Sequence, residues 1–183
     1  MRHESTQRTG LPTVTTADHF QGRANAPVTL LVYGDYECPY TRRANNNIRE
    51  LQAQLGSQLS YVYRHFPLTT IHPYAQQAAE AAEAAAVEGK FWDMHNILFE
   101  HQDALDVDHL VEYAQELQLD APAFERAIAQ HQYADRVERD VASGEQTNVR
   151  GTPTLFINGV RYAGSYDREP LQAALAAAAT STT

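Results

Sequence analysis

The stretch NAPVTLLVYGDYECPYTRR, Asn25 to Arg43, decides how the rest of the chain is read. Its first part, PVTLLVYGD (27–35), is a β-branched and apolar run interrupted only by Gly34, and it predicts a buried strand. Pro39 then suits the first turn of a helix, where a missing N–H is no loss. Ile48, Leu51 and Leu55 continue as one helical face, and Gly56 suits the stop. Between strand and helix stands Cys38, the single cysteine of the chain. A redox pair of the form C-x-x-C would place a second cysteine at position 41, where the chain has Thr41.

Outward from this stretch, LSYVYRHF (59–66) predicts a second strand, ended by Pro67. Strand, helix and strand in that order imply a βαβ unit with a parallel pair. The middle of the chain is helical. PYAQQAAEAAEAAAVEGK (73–90) is rich in strong helix formers and stops near Gly89; its AEAAEAAAVE run reads as one solvated and one packed face. FWDMHNILFEH (91–101) puts Phe91, Trp92, Met94, Leu98 and Phe99 mostly on one side. DVDHLVEYAQELQL (106–119) has Asp106 or Asp108 as its N-cap, and DAPAFERAIAQH (120–131) has Asp120 with Pro122 behind it. A fifth helix runs from Tyr133 to Thr147. TPTLFING (152–159) is a strand that ends at the two-residue hairpin signal Asn158-Gly159, and VRYAGSY (160–166) pairs back. DREPLQAALAAAA (167–179) closes with a helix capped by Asp167. Residues 1–16 are polar and read as a mobile tail.

A chain of 183 residues fits one domain with an insertion, long enough to bury a core. With 14 basic and 23 acidic residues the net charge is −9, which argues against nucleic acid and anionic membranes as partners. No apolar run reaches the roughly 18 residues of a membrane span. The start, MRHESTQRTG, has no apolar h-region and does not read as a signal peptide. One cysteine allows no internal disulfide, so the expected compartment is the reducing cytoplasm. Eight histidines include no His-x-His or His-x3-His pair, and no metal centre is predicted. His65 and His72 flank a turn and read as structural, with His65 kept as a candidate proton shuttle.

The order β-α-β, a block of helices, then β-β-α resembles the thioredoxin fold as elaborated in the DsbA-like family. That is an α/β architecture with an inserted α-helical subdomain. The segments that carry the resemblance are NAPVTLLVYGDYECPYTRR, YVYRHFPL, HPYAQQAAEAA, GKFWDMHNILFEHQ and VRGTPTLFINGVRYAGSY, in the family's order from residue 25 to about residue 175. The resemblance implies a first half of the core over 17–74, a helical insertion over 75–147, and a second half with the C-terminal helix over 148–183. Two departures touch one chemistry. Thr41 replaces the second active-site cysteine. Val32 stands where many relatives carry an acidic residue that helps to move protons.

On this resemblance Cys38 is the nucleophile. At the strand–helix junction its sulfur faces the free N–H groups of the first turn and the positive end of the dipole, which favour the thiolate. Arg42 and Arg43 add to this and Asp35 and Glu37 oppose it. A plain buried core thiol is the alternative. Thr41, about one turn on, is placed to donate a hydrogen bond to the thiolate. It cannot resolve a mixed disulfide, which needs a second thiol. A dithiol oxidase cycle is therefore excluded for a single chain, and the resolving thiol comes from glutathione, the substrate or a partner. Thr41 is either a drifted residue of a lost activity or a substitution that traps complexes. Thr152 and Pro153 resemble the cis-proline loop, in which the residue before the proline offers backbone hydrogen bonds to an extended substrate peptide. An ordinary trans proline is the alternative. Pro39 and Tyr40 tune the nucleophile and touch the substrate, and Tyr36 either lines the same surface or packs.

Three functions are compatible with these residues. One is a monothiol thiol–disulfide oxidoreductase acting on disulfide-containing or glutathionylated proteins or peptides, with no resident cofactor and glutathione as co-substrate. The second is a redox-inactive module that keeps the peptide groove. The third is a glutathione-dependent transferase or isomerase on the same architecture.

Overall fold

The computed structural model describes residues 11–181; residues 1–10 of the expected tail lie outside them. Just after them Pro12 is buried, and the Thr13 carbonyl accepts a hydrogen bond from Arg64 Nη2 at 2.7 Å. Among the described residues the chain forms β1 (His19–Gln21), β2 (Val28–Gly34), α1 (Pro39–Leu55), β3 (Leu59–His65), α2 (Ala75–Ala86), α3 (Phe91–Glu100), α4 (Val107–Glu116), α5 (Ala121–Ala129), α6 (Ala134–Gln146), β4 (Thr154–Ile157), β5 (Val160–Tyr162) and α7 (Arg168–Thr180). The fold is a mixed α/β thioredoxin fold, with helices α2 to α6 between its β-α-β and β-β-α halves.

The sheet order is β1-β3-β2-β4-β5. β2 pairs in parallel with β3, from Val28 opposite Leu59 to Gly34 opposite His65. On its other side it pairs antiparallel with β4, from Leu30 opposite Ile157 to Tyr33 opposite Thr154. A strand in this position is covered on both faces, and this explains its unbroken apolar run. Leu30 and Val32 enter the larger core with Ile48, Leu51, Leu171 and Leu175 from α1 and α7. Leu31 and Tyr33 enter a smaller core with Val62, Phe66 and Phe156. α6 closes the smaller side, and Gly144 permits it: a Cβ there would lie 2.9 Å from the Phe66 ring and 3.1 Å from Tyr33.

Three expectations are corrected. β1 was not predicted, because three residues with Phe20 exposed carry no readable period; it is an edge strand held antiparallel to Tyr61–Tyr63. α2 has no solvated face along its glutamates. Ala78, Ala81, Ala82 and Ala85 are buried, and so are Glu80 and Glu83. Small side chains let neighbouring helices approach α2 from several sides, so its acids are enclosed and paired rather than hydrated. Asp167 stands at the N-cap of α7 but makes no side-chain cap hydrogen bond. Its carboxylate instead accepts from Arg43 and from Ser165 Oγ. Asp106 and Asp120 do cap, accepting from the N–H groups of His109 at 3.3 Å and Ala123 at 3.0 Å. Among the described residues no helix is long and apolar enough to cross a membrane.

Candidate active site

Cys38 is the N-cap of α1, with extended backbone angles (φ −78°, ψ 118°) and Pro39 directly behind it. The loop that delivers it is held from three sides. Asp35, itself buried, accepts from the N–H of Glu37 at 2.8 Å, the N–H of Leu68 at 2.8 Å and His72 Nδ1 at 2.8 Å. Its carbonyl accepts the N–H of Cys38 at 3.2 Å. From the α3–α4 connection, Gln102 Nε2 donates to the carbonyls of Tyr36 at 2.6 Å and Cys38 at 3.0 Å. Glu37 accepts the N–H of Tyr74 at 2.7 Å. Opposite Cys38 lies the loop before β4. The Thr152–Pro153 peptide bond is cis, and the Cys38 thiol donates to the Thr152 carbonyl at 3.4 Å.

Thr41 lies beside this contact, but its hydroxyl does not bond to the sulfur. Thr41 Oγ1 is buried and has no hydrogen-bond partner among the described residues, as is true of Tyr63 Oη and Thr152 Oγ1. The Thr41 methyl packs at Gly34, where a Cβ would come within 2.8 Å of it and within 2.5 Å of the Tyr63 ring. Tyr40, two residues on, is 62% exposed, whereas Cys38 itself is 3% exposed. Tyr36 does not line the surface: it is buried, and its hydroxyl meets His95 Nδ1 at 2.9 Å. Val32 is a core residue between Tyr63 and Leu155. Arg43 is tied to Asp167, so its charge is compensated locally.

Burial pushes the phenols of Tyr36 and Tyr63 well above their usual range, and Tyr63 also feels Tyr36, Tyr61, Asp35 and Cys38. Tyr166, whose carbonyl accepts Asn47 Nδ2 at 3.0 Å, is pushed up by its partial burial, by Tyr40 and by Cys38, against Arg43. Gln102, Tyr63 and the pairing of His72 with Asp35 were missed by sequence reasoning. Gln102, Tyr63 and His72 arrive from three other segments, and no local spacing links them to Cys38.

Behind the site is a second polar layer. His95 Nε2 donates to Asn45 Oδ1 at 3.0 Å, which leaves Nδ1 to accept from Tyr36. Burial holds His95 well below its ordinary pKa, in the neutral form. His65 is engaged by Glu83 Oε1 at 2.8 Å, and the same oxygen takes His19 Nε2 at 2.9 Å. Burial alone would raise the Glu83 carboxyl, but the hydrogen bonds from His19 and His65 prevail and hold it well below the usual carboxylate range. His65, Glu83 and Asp140 bring donor atoms within 4.8 Å of one another, the spacing of a metal cluster. Arg136 already lies against both carboxylates, and its guanidinium supplies the positive charge that a cation would bring.

A cysteine at a helix N-cap, a cis-proline loop against its sulfur and a helical block inserted into the sheet define a DsbA-like member of the thioredoxin class. The chain belongs to the thioredoxin family, whose model matches residues 14–177. Relatives at high identity carry the name of a transporter. The chain is 48% identical over 161 residues to Na(+)/H(+) antiporter NhaA 3 of Salinispora tropica, covering 88% of this chain and 24% of that protein. It is 44% identical over 162 residues to NhaA 1 of Mycolicibacterium vanbaalenii, covering 87% and 26%. The chain thus spans about a quarter of the length of these relatives. Among solved structures it is similar to BdbD from Bacillus subtilis, at 22% identity over 93% of this chain and 97% of that one, with a TM-score of 0.83. It is also similar to a thioredoxin-like oxidoreductase from Silicibacter pomeroyi (24% identity, 91% and 94% covered, TM-score 0.79) and to alpha-DsbA1 from Wolbachia pipientis (18%, 92% and 94%, 0.77). At these identities the likeness is one of fold.

Proposed function

We propose that the chain is a monothiol thiol–disulfide oxidoreductase with Cys38 as its nucleophile. The observation that carries the reading is the contact of Cys38 Sγ, at the α1 N-cap, with the carbonyl of Thr152. In the forward step the Cys38 thiolate attacks one sulfur of a substrate disulfide. The new S–S bond forms as the old one breaks, and the other sulfur leaves as thiolate. An external thiol, with glutathione as the natural class, then attacks the adduct and frees Cys38. Thr41 occupies the position of an internal resolving thiol and leaves that step to the external one. Tyr40, Pro39 and the Thr152–Pro153 loop form the face for an extended peptide, which would compete with the Cys38 thiol for the Thr152 carbonyl. We place the exchange in the cytoplasm, where glutathione is kept reduced.

The test is mass spectrometry of the chain after exposure to glutathione disulfide. One glutathione on Cys38, absent in Cys38→Ser and released by reduced glutathione, is the expected result. An unmodified chain would overturn the reading. A second reading, a peptide-binding module without redox chemistry, is favoured by the 3% exposure of Cys38. It expects peptide affinity to survive Cys38→Ser with no adduct formed by the unmodified sequence.

A further inference from the structure

Buried hydroxyl groups in folded proteins are almost always hydrogen-bonded, so unpartnered ones call for an explanation. Three belong to elements around Cys38. Thr41 Oγ1, Tyr63 Oη and Thr152 Oγ1 are all buried without a partner among the described residues. Thr41 is 1% exposed and Tyr63 is 0% exposed. They come from α1, β3 and the loop before β4. Thr41 is in the first turn of the helix that Cys38 caps, and the Thr152 backbone touches the sulfur. A Cβ on Gly34 would lie 2.8 Å from Tyr63 Oη and 2.8 Å from Thr41 Cγ2, so the phenol and Thr41 meet over a backbone that has no side chain. Cys38 is among the groups that act electrostatically on Tyr63. Hydroxyl donors around a nucleophilic sulfur are suited to oxygen atoms that gain negative charge during reaction.

We propose that this hydroxyl-lined site lets Cys38 reduce small hydroperoxides through a sulfenic acid. The Cys38 thiolate attacks the terminal oxygen of the hydroperoxide. An S–O bond forms while the O–O bond breaks, and sulfur is oxidised to the sulfenic acid. The hydroperoxide is reduced to its alcohol, or to water from hydrogen peroxide, and takes up the proton that the thiol gave. Thr41, Tyr63 and Thr152 donate to the leaving oxygen and then to the sulfenic oxygen. With no second cysteine in the chain, the sulfenic acid cannot close an internal disulfide. An external thiol condenses with it, releasing water, and a second external thiol resolves the mixed disulfide. The slight exposure of Cys38 selects a small reagent over a bulky one. This inference rests on Cys38 being nucleophilic, as in the proposed exchange, and differs in the electrophile.

The full chain is treated with hydrogen peroxide, and the gain of one oxygen atom on Cys38 is followed by mass spectrometry with dimedone as trap. Glutathione disulfide is run in parallel. The expected result is oxidation about tenfold or more faster than that of free cysteine under the same conditions. Tyr63→Phe is expected to lower that rate by about tenfold while still forming the glutathione adduct. Thr41→Val, which removes a hydroxyl on another element, is expected to slow oxidation as well and covers the case in which Tyr63→Phe fails to fold. Oxidation no faster than that of free cysteine overturns the proposal, even if the glutathione adduct forms. Full-speed oxidation in both folded variants also overturns it, since the hydroxyls would then merely hold structural water. Rapid oxidation without a glutathione adduct removes the exchange reading and leaves this one standing.

Discussion

Glu83 is the residue on which the polar interior turns. One buried carboxylate oxygen takes both His65 and His19, with Arg136 alongside. Glu83→Gln keeps the shape and an acceptor oxygen but removes the charge, leaving the Arg136 guanidinium and the two histidines without their anionic partner. The expected loss is about 3 kcal/mol in urea unfolding at neutral pH. The pH dependence follows from two depressed groups. His95 is neutral in the fold, so below its ordinary 6.5 only the unfolded chain gains that proton, and stability falls as pH drops through that value. Glu83 ionises far below its ordinary 4.5 in the fold, so its contribution is complete above 4.5 and is lost as pH falls further. Unfolding curves at pH 7.5, 5.5 and 4 are therefore expected to show stepwise loss on acidification, and His95→Gln is expected to flatten the upper part. Cys38, Pro39 and Thr152 could be picked out in the sequence because local motifs announce them. Glu83 could not, because its i, i+3 spacing with Glu80 is the spacing of a solvated helix stripe.

At the scale of elements, α2 and the α3–α4 connection carry the insertion's part in the site. Ala82 is fully buried in the larger core, and Ala82→Leu is expected to lower stability by about 1–3 kcal/mol through overpacking, measured as a shift in urea midpoint. Gln102 joins the connection to two carbonyls of the nucleophile loop. Gln102→Leu leaves both unpaired. It is expected to cost about 1–3 kcal/mol and to slow glutathione adduct formation at Cys38, as read by mass spectrometry. Long periodic elements such as α1, β2, β3 and α4 were legible from residue spacing, to within about three residues. β1 was not, since three residues paired at an edge have no period to read. Nor was the non-capping of Asp167, because that depends on Arg43 arriving from a helix more than a hundred residues earlier in the chain.

At the scale of the whole molecule, the larger core runs without a break from β2 and α1 through α2, α3, α4 and α5. Trp92, the single tryptophan, sits in the insertion and donates from its indole to the Phe20 carbonyl of β1 at 3.2 Å. The insertion and the sheet are therefore expected to unfold together, with Trp92 fluorescence and far-UV circular dichroism giving coincident urea midpoints. Separate midpoints would mean that the insertion is a unit of its own. Cys38 bears on this overall stability in a way distinct from its chemistry. It holds the N-cap of the longest helix but makes no side-chain cap bond, and sulfur is a poor acceptor for the N–H groups of Tyr40 and Thr41. A serine there would be a strong cap, worth about 0.5–2 kcal/mol. The Cys38→Ser chain is thus expected to melt higher than the unsubstituted one, by about 2–4 °C per kcal/mol gained. In that sense reactivity and thermal endurance compete for one position, and the chain has kept the less durable residue.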